Sequence, residues 1–219
     1  MFKTIRNAWA IPDLRKKILF TILIIILFRV GSVIPVPFLD MEALAALMAP
    51  LQDVTQEASQ SFVAYLNTLS GGAFANATIF AMGITPYINS SIIMQLLCVA
   101  IPALERLSKE GEDGRKKIAT ITRYVTVALG LIQGTAFFFY LRAEKITVYR
   151  EGFSQIFAAV AIILCFTAGT ALIMWMGEQI NKNGIGNGIS MILFAGIVAR
   201  LPFTVRQLVM YWELGKQSP

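Results

Sequence analysis

Acid–base, nucleophilic and metal chemistry each need side chains that this sequence either lacks or scatters. It contains no histidine among 219 residues, so proton transfer near neutral pH would fall to carboxylates or lysines. Those lie almost wholly in short polar stretches between apolar runs. Cys98 and Cys165 each stand singly inside an apolar run with no acidic cluster nearby, which suits neither a metal site nor a disulfide framework. No catalytic residue, cofactor or metal is expected, and the chain does not read as an enzyme. The run Gly184-Ile185-Gly186-Asn187-Gly188 has the glycine content of a phosphate cradle, but it follows an apolar helix and lacks a Lys-Ser/Thr pair. A tight interhelical turn is expected there. Asn76-Ala77-Thr78 and Asn89-Ser90-Ser91 match the glycosylation pattern yet fall in or beside an apolar span, out of reach of that machinery.

What remains is hydrogen-bonding chemistry in an unusual place. Thr85, Asn89, Ser90, Ser91 and Gln95 fall within about three helical turns of one apolar stretch. A lipid-facing helix has no use for such a set, so it implies either hydrogen bonds between helices or a wall of an aqueous path. Pro86, with no N–H to donate, would loosen the backbone where water or a ligand could substitute.

The elements that must carry these residues follow from composition. Hydrophobic residues make up 56% of the chain and charged ones 15%, with a mean hydropathy of +0.66, which points to an all-α membrane protein. The net charge of +6 comes from short basic clusters without interleaved aromatics, so no nucleic-acid specificity is expected. A spanning helix needs about 20 apolar residues. Segments near 18–36, 118–141 and 154–177 meet this, as do 76–101, polar along one side, and 188–209, interrupted by Arg200 and Pro202. The first is read as a retained span and not a cleaved signal peptide, because no small-residue cleavage pattern follows it. Between the first two spans, residues 61–75 are too short to cross and read as a re-entrant helix, tolerable at membrane depth only inside protein or against water. Residues 1–17, with Phe2, Ile5 and Trp9 opposite Lys3 and Arg6, form an interfacial segment or a solvated basic face. Residues 210–219 form an external segment.

Lys and Arg in the loops orient the chain. Lys3, Arg6, Arg15, Lys16 and Lys17 precede the first span, and Arg106, Lys109, Arg115, Lys116 and Lys117 follow the second, whereas residues 40–75 contain none. The amino terminus is therefore expected in the cytoplasm, and the loop 103–117, where these cations mix with Glu105, Glu110, Glu112 and Asp113, is a candidate cytosolic contact surface.

Four blocks in order make a family recognisable: Arg29 to Pro37, Gly83 to Leu97, Lys109 to Tyr124, and Gly177 to Ser190. Together they closely resemble the signatures of the SecY family, the bacterial protein-conducting channels. That family builds ten spans as two inverted five-span halves around a pore. The resemblance implies that this chain is the amino-terminal half, five transmembrane helices plus a short re-entrant plug helix. The other half would supply the rest of the pore and of the lateral gate. It implies a plug at Tyr65, Leu66, Asn67, Thr68, Leu69 and Ser70. Polar groups near the lateral gate would be Asn89, Ser90, Ser91, Gln95 and Gln133. The apolar pore ring would take Ile88 and Ile92 from the second span, and Leu193 and Ile197 from the fifth. The implied partners are the carboxyl-terminal half of SecY, SecE and SecG, SecA and the ribosome, a translocating polypeptide with its signal sequence, and the lipid of the cell's inner membrane. Inverted repeats and broken helices also occur in secondary transporters, half of one being the alternative. It would need ionisable coupling residues within the spans, and only Arg29, Arg123 and Glu178 lie near span ends. A helical scaffold subunit would explain the topology but not the re-entrant segment.

Overall fold

The computed structural model describes residues 11–48, 67, 69–149 and 152–217. Among these the helices are α1 (Pro12–Gly31), α2 (Met41–Met48), α3 (Thr85–Ala100), α4 (Pro102–Lys109), α5 (Glu112–Ala143), α6 (Phe153–Asn183) and α7 (Gly188–Gln217), with no strand. Of the interfacial segment expected at residues 1–17, residues 1–10 lie outside the described residues and Pro12 to Lys17 open α1.

Two helices, α5 and α6, are long and apolar enough to cross a membrane, and α3 with α4 makes a third candidate bent by 102°. The bend has a local cause. Proline at 102 disfavours a helical conformation at Ile101, which is extended at φ −107° and ψ 113°, and the chain restarts as a helix with Pro102 in its first turn. By length and composition α1 and α7 fall short. Charges at both ends of α1, Asp13 to Lys17 and Arg29, leave a brief apolar middle, and α7 is apolar only over Gly188–Pro202. The bundle as a whole remains that of a membrane-embedded protein: Leu19, Leu23 and Ile26 of α1 and Ile156, Val160 and Leu164 of α6 stand exposed where lipid would cover them.

The second apolar stretch is not one helix. Residues 70–84 run as successive turns, and α3 begins only at Thr85. Pro86 does not loosen a helix interior. It stands in the first turn of α3, where its missing N–H is one of the donors a helix start leaves unpaired anyway. The turns are held from outside the segment. The Val36 N–H donates to the Ala77 carbonyl at 3.1 Å and the Ile79 N–H to the Ile34 carbonyl at 3.1 Å, while Ala73, Ala77, Phe80 and Ile84 are buried. Irregular backbone at membrane depth is tolerated under just those conditions.

Packing builds two cores. Phe74, Phe137, Leu141, Ile162 and Phe166 fill one, and Ile24, Phe28, Phe80, Ile173 and Ile192 fill the other. The principal contacts join α5 with α6, α3 with α5, α6 with α7, and α1 with α6, whereas the backbones of α3 and α7 stay clear of each other among the described residues. Small residues let α5 and α6 approach: Gly130 faces Thr170 and Gly134 faces Phe166.

Ser90 serves this packing. Fully buried, its hydroxyl bonds the Thr126 hydroxyl of α5, and Thr126 donates in turn to the Thr122 carbonyl at 2.7 Å. Ser90→Ala should therefore lower stability by about 1 kcal/mol, the net worth of one buried hydrogen bond. A chemical-denaturation midpoint identical to that of the parent would show the contact to be idle.

Candidate functional site

Residues 69–84 and the helices α3, α5 and α7 enclose the candidate site. Of the residues expected to form a plug, Asn67, Leu69 and Ser70 are described, and Tyr65, Leu66 and Thr68 lie outside the described residues. Asn67 and Ser70 knit the turn. The Asn67 carbonyl accepts the Gly72 N–H at 2.8 Å and the Ser70 hydroxyl at 3.1 Å, while Asn67 Oδ1 accepts the Ala75 N–H at 3.0 Å. The Ser70 hydroxyl oxygen accepts the Phe74 N–H at 3.0 Å. Gly71 and Gly72 have φ of 67° and 91°, a region open to glycine at little cost.

This turn rests on α7. A Cβ placed on Gly71 would stand 3.0 Å from the Gly196 carbonyl oxygen, and one on Gly196 would stand 3.1 Å from the Leu69 carbonyl oxygen. Backbone therefore meets backbone at Gly196, between Leu193 and Ile197. Arg29 adds a polar tie, its Nη1 donating to the Gly71 carbonyl at 3.3 Å.

The four apolar residues singled out by sequence are distributed over two helices. Ile88 and Leu193 both border the second core, beside Phe80, Ile84 and Ile192. Ile92 is 50% exposed and Ile197 38%, so each pair has one member against the core and one facing open space. On one side of Ile88 lies a mostly apolar cavity of about 560 Å³, lined by Leu69, Phe74, Met82, Phe137 and Ile88 itself, with Thr85, Asn89 and Gln133 as its polar members. On its other side, between α3 and the start of α7, a groove of about 310 Å³ is lined by Ile88, Ser91, Ile92, Gln95, Asn181 and Asn187.

The expected polar gate residues thus part company. Asn89 and Gln133, from α3 and α5, share the larger cavity, and Ser91 and Gln95 share the groove, with Gln95 Nε2 donating to Ser91 Oγ at 3.4 Å. Ser90 joins neither. On the charged loop, Lys109 pairs with Glu105 at 2.6 Å, Lys116 with Asp113 at 3.4 Å and Lys117 with Glu110 at 3.7 Å, all exposed. Arg106 is exposed, with no ion pair among the described residues. Arg115 lines a further cavity of about 390 Å³ together with Ser91 and Gln95.

Sequence reasoning did not find Gly196, Asn181 or Asn187. The signal for Asn187 was present: an asparagine just before an apolar helical run is a helix-capping pattern. Nor did it foresee that Arg123 and Glu178 pair, Nε donating to Oε1 at 2.6 Å with Glu178 mostly buried. Arg123→Leu would strand that carboxylate, at a cost of about 2 kcal/mol, below the full penalty for a deeply buried pair because the arginine is partly solvated. A thermal shift should report it, and Glu178→Gln in the same background should restore most of the loss.

Known proteins resemble this chain in sequence and in fold. A model of the SecY family matches residues 78–218. The chain belongs to the SecY family. It is 46% identical over 211 residues to the protein translocase subunit SecY of Bacillus subtilis, an alignment that takes in 95% of this chain and 46% of the relative. It is 42% identical over 226 residues to the same subunit of Streptomyces galbus, covering all of this chain and 49% of the relative. The chain thus spans about half the length of these SecY relatives. Among solved structures, one described as a protein-conducting channel aligns over 83% of this chain and 36% of its own with a TM-score of 0.56 at 17% identity. Sec61 in the canine ribosome-channel complex from the endoplasmic reticulum matches equally well. At that identity the likeness shows a shared SecY-like fold.

Proposed function

We propose that this chain forms the amino-terminal half of a channel that passes unfolded polypeptides across the membrane or laterally into it, without covalent chemistry. The carrying observation is the position of Ile88 between the mostly apolar cavity that also holds Asn89 and Gln133 and the polar groove that Ile92 shares, on helix α3, whose backbone stays clear of α7. Ions would have to shed water at such an apolar narrowing, whereas a peptide side chain can push it apart. Leu193 and Ile197 complete this half's share of the ring. The turn at 69–72, seated on Gly196 beside them, is the resting plug, held by backbone contacts of Leu69 and Gly71 with Gly196 and by the Arg29 tie. Asn89 and Gln133 face the lateral seam, Ser91 and Gln95 its cytosolic side.

In this reading residues 18–209 make five spans: α1, the 70–100 segment with α3, then α5, α6 and α7. The amino terminus is cytoplasmic in the cell's inner membrane. Loop 103–117, with Arg106, Lys109, Arg115, Lys116 and Lys117, meets SecA or the ribosome. SecE, SecG and the carboxyl-terminal half of SecY complete the assembly. The transporter alternative draws no support from Arg123 and Glu178, which are engaged with each other.

Deleting residues 65–70 in a full-length channel tests the reading. Ion conductance across planar bilayers should rise while polypeptide export continues. An unchanged conductance would count against the plug, and loss of export with no leak would count against the channel.

A further inference from the structure

The groove beside Ile88 and Ile92 is polar without being charged. Among its described lining residues there is no Asp, Glu, Lys or Arg; the hydrogen-bonding groups are the amides of Gln95, Asn181 and Asn187 and the hydroxyls of Ser91 and Tyr87. The orientation of these amides is set by the backbone around them. Asn181 Oδ1 accepts the Gly188 N–H at 2.7 Å. Asn187 Oδ1 accepts the Ile189 N–H at 3.0 Å and the Ser190 N–H at 3.3 Å. Since only the oxygen of an asparagine amide can accept, each residue is left with its Nδ2 donors unspent, and both side chains are exposed. Gln95 is oriented the other way: its Nε2 donates to Ser91, leaving Oε1 as an acceptor. The groove therefore offers N–H donors from the end of α6 and from the α6–α7 connection, and a carbonyl acceptor from α3.

We propose that Asn181 and Asn187, with Gln95 on the facing helix, form a binding site for the main chain of an extended polypeptide on the cytosolic side of the ring. The donors receive peptide carbonyls and Gln95 receives a peptide N–H, as a sheet edge receives an added strand. The inference rests on the channel reading above. The chemistry suits a substrate of any sequence. Main-chain groups recur at every residue, whereas a charged wall would hold segments of opposite sign and repel those of its own. Neutral hydrogen bonds exchange readily with water, so each contact steadies the chain without stopping it.

The test uses the complete channel, reconstituted in vesicles, with a polypeptide arrested in transit by a folded carboxyl-terminal domain. Three polypeptides differ in the stretch that lies at the ring: glycine-serine, acidic and basic. The variant Asn187→Ser keeps a hydroxyl able to cap the Ile189 and Ser190 N–H groups but removes the amide donor. Back-sliding of the arrested chain should accelerate about fivefold, by the same factor for all three stretches. Asn187→Asp, which retains both capping bonds, should accelerate the glycine-serine stretch in the same direction. Unchanged back-sliding in both variants would overturn the inference while leaving the channel intact. A change confined to the acidic or the basic stretch would also overturn it, showing a side-chain contact. If the parent channel held no arrested polypeptide, the channel reading would fall and this inference with it.

Discussion

Replacing Gly169 by valine is expected to leave little folded protein in the membrane. Gly169 sits on the buried face of α6, where a Cβ would stand 1.9 Å from the Ile79 carbonyl oxygen and 2.8 Å from the carbonyl carbon. Backbone, unlike the end of a flexible side chain, cannot swing aside. The Ile79 N–H is itself bonded to the Ile34 carbonyl, so displacing this strip of chain would pull on the exit from α1 as well as on the start of α3. The cost should exceed about 3 kcal/mol, the upper end of ordinary overpacking. Ala168→Val, one residue away on the exposed face, should be neutral and serves as control. Yield of monodisperse protein and its melting temperature would report both. A Gly169→Val protein melting with the parent would mean that α6 does not lie against the 70–84 segment.

This contact also marks where sequence reading stops. The long helices α5 and α6 were legible from apolar length and the turn after α6 from its glycines, whereas the bend at Ile101-Pro102 was not read. The turns at 70–84 were not, because Ala73 to Ile84 is as apolar as a span. The choice against helix comes from pairing with Ile34 and Val36, which no local pattern contains. Polarity in α3 was legible as a feature but not as a site. Successive helical residues point about 100° apart, so Asn89, Ser90 and Ser91 cannot share a face, and the fold sends one toward Gln133, one into Thr126 and one toward Gln95. Gly196 was invisible for a related reason: its value lies in what touches it, the Leu69 carbonyl, from far along the chain.

The proposed pore makes a second prediction of large effect, a contrast between reaction and none. Ile88 and Ile92 are one turn apart on α3, as are Leu193 and Ile197 on α7, so each pair can present two side chains along one face. A polypeptide held in the channel must pass within bonding distance of them. Lipid-facing positions should never meet it, and Leu164, 56% exposed on α6, is a suitable control. Cys98 and Cys165 would first be replaced by serine and alanine, since Cys98 lines a cavity of its own.

Single cysteines at 88, 92, 193, 197 and 164 in a complete channel, each probed for a disulfide to a cysteine in an arrested polypeptide, give the most direct measurement. Strong crosslinks at the first four positions and none at 164 are the expected result. Crosslinking at 164 with none at 88, 92, 193 and 197 would contradict the assignment of the pore to these residues.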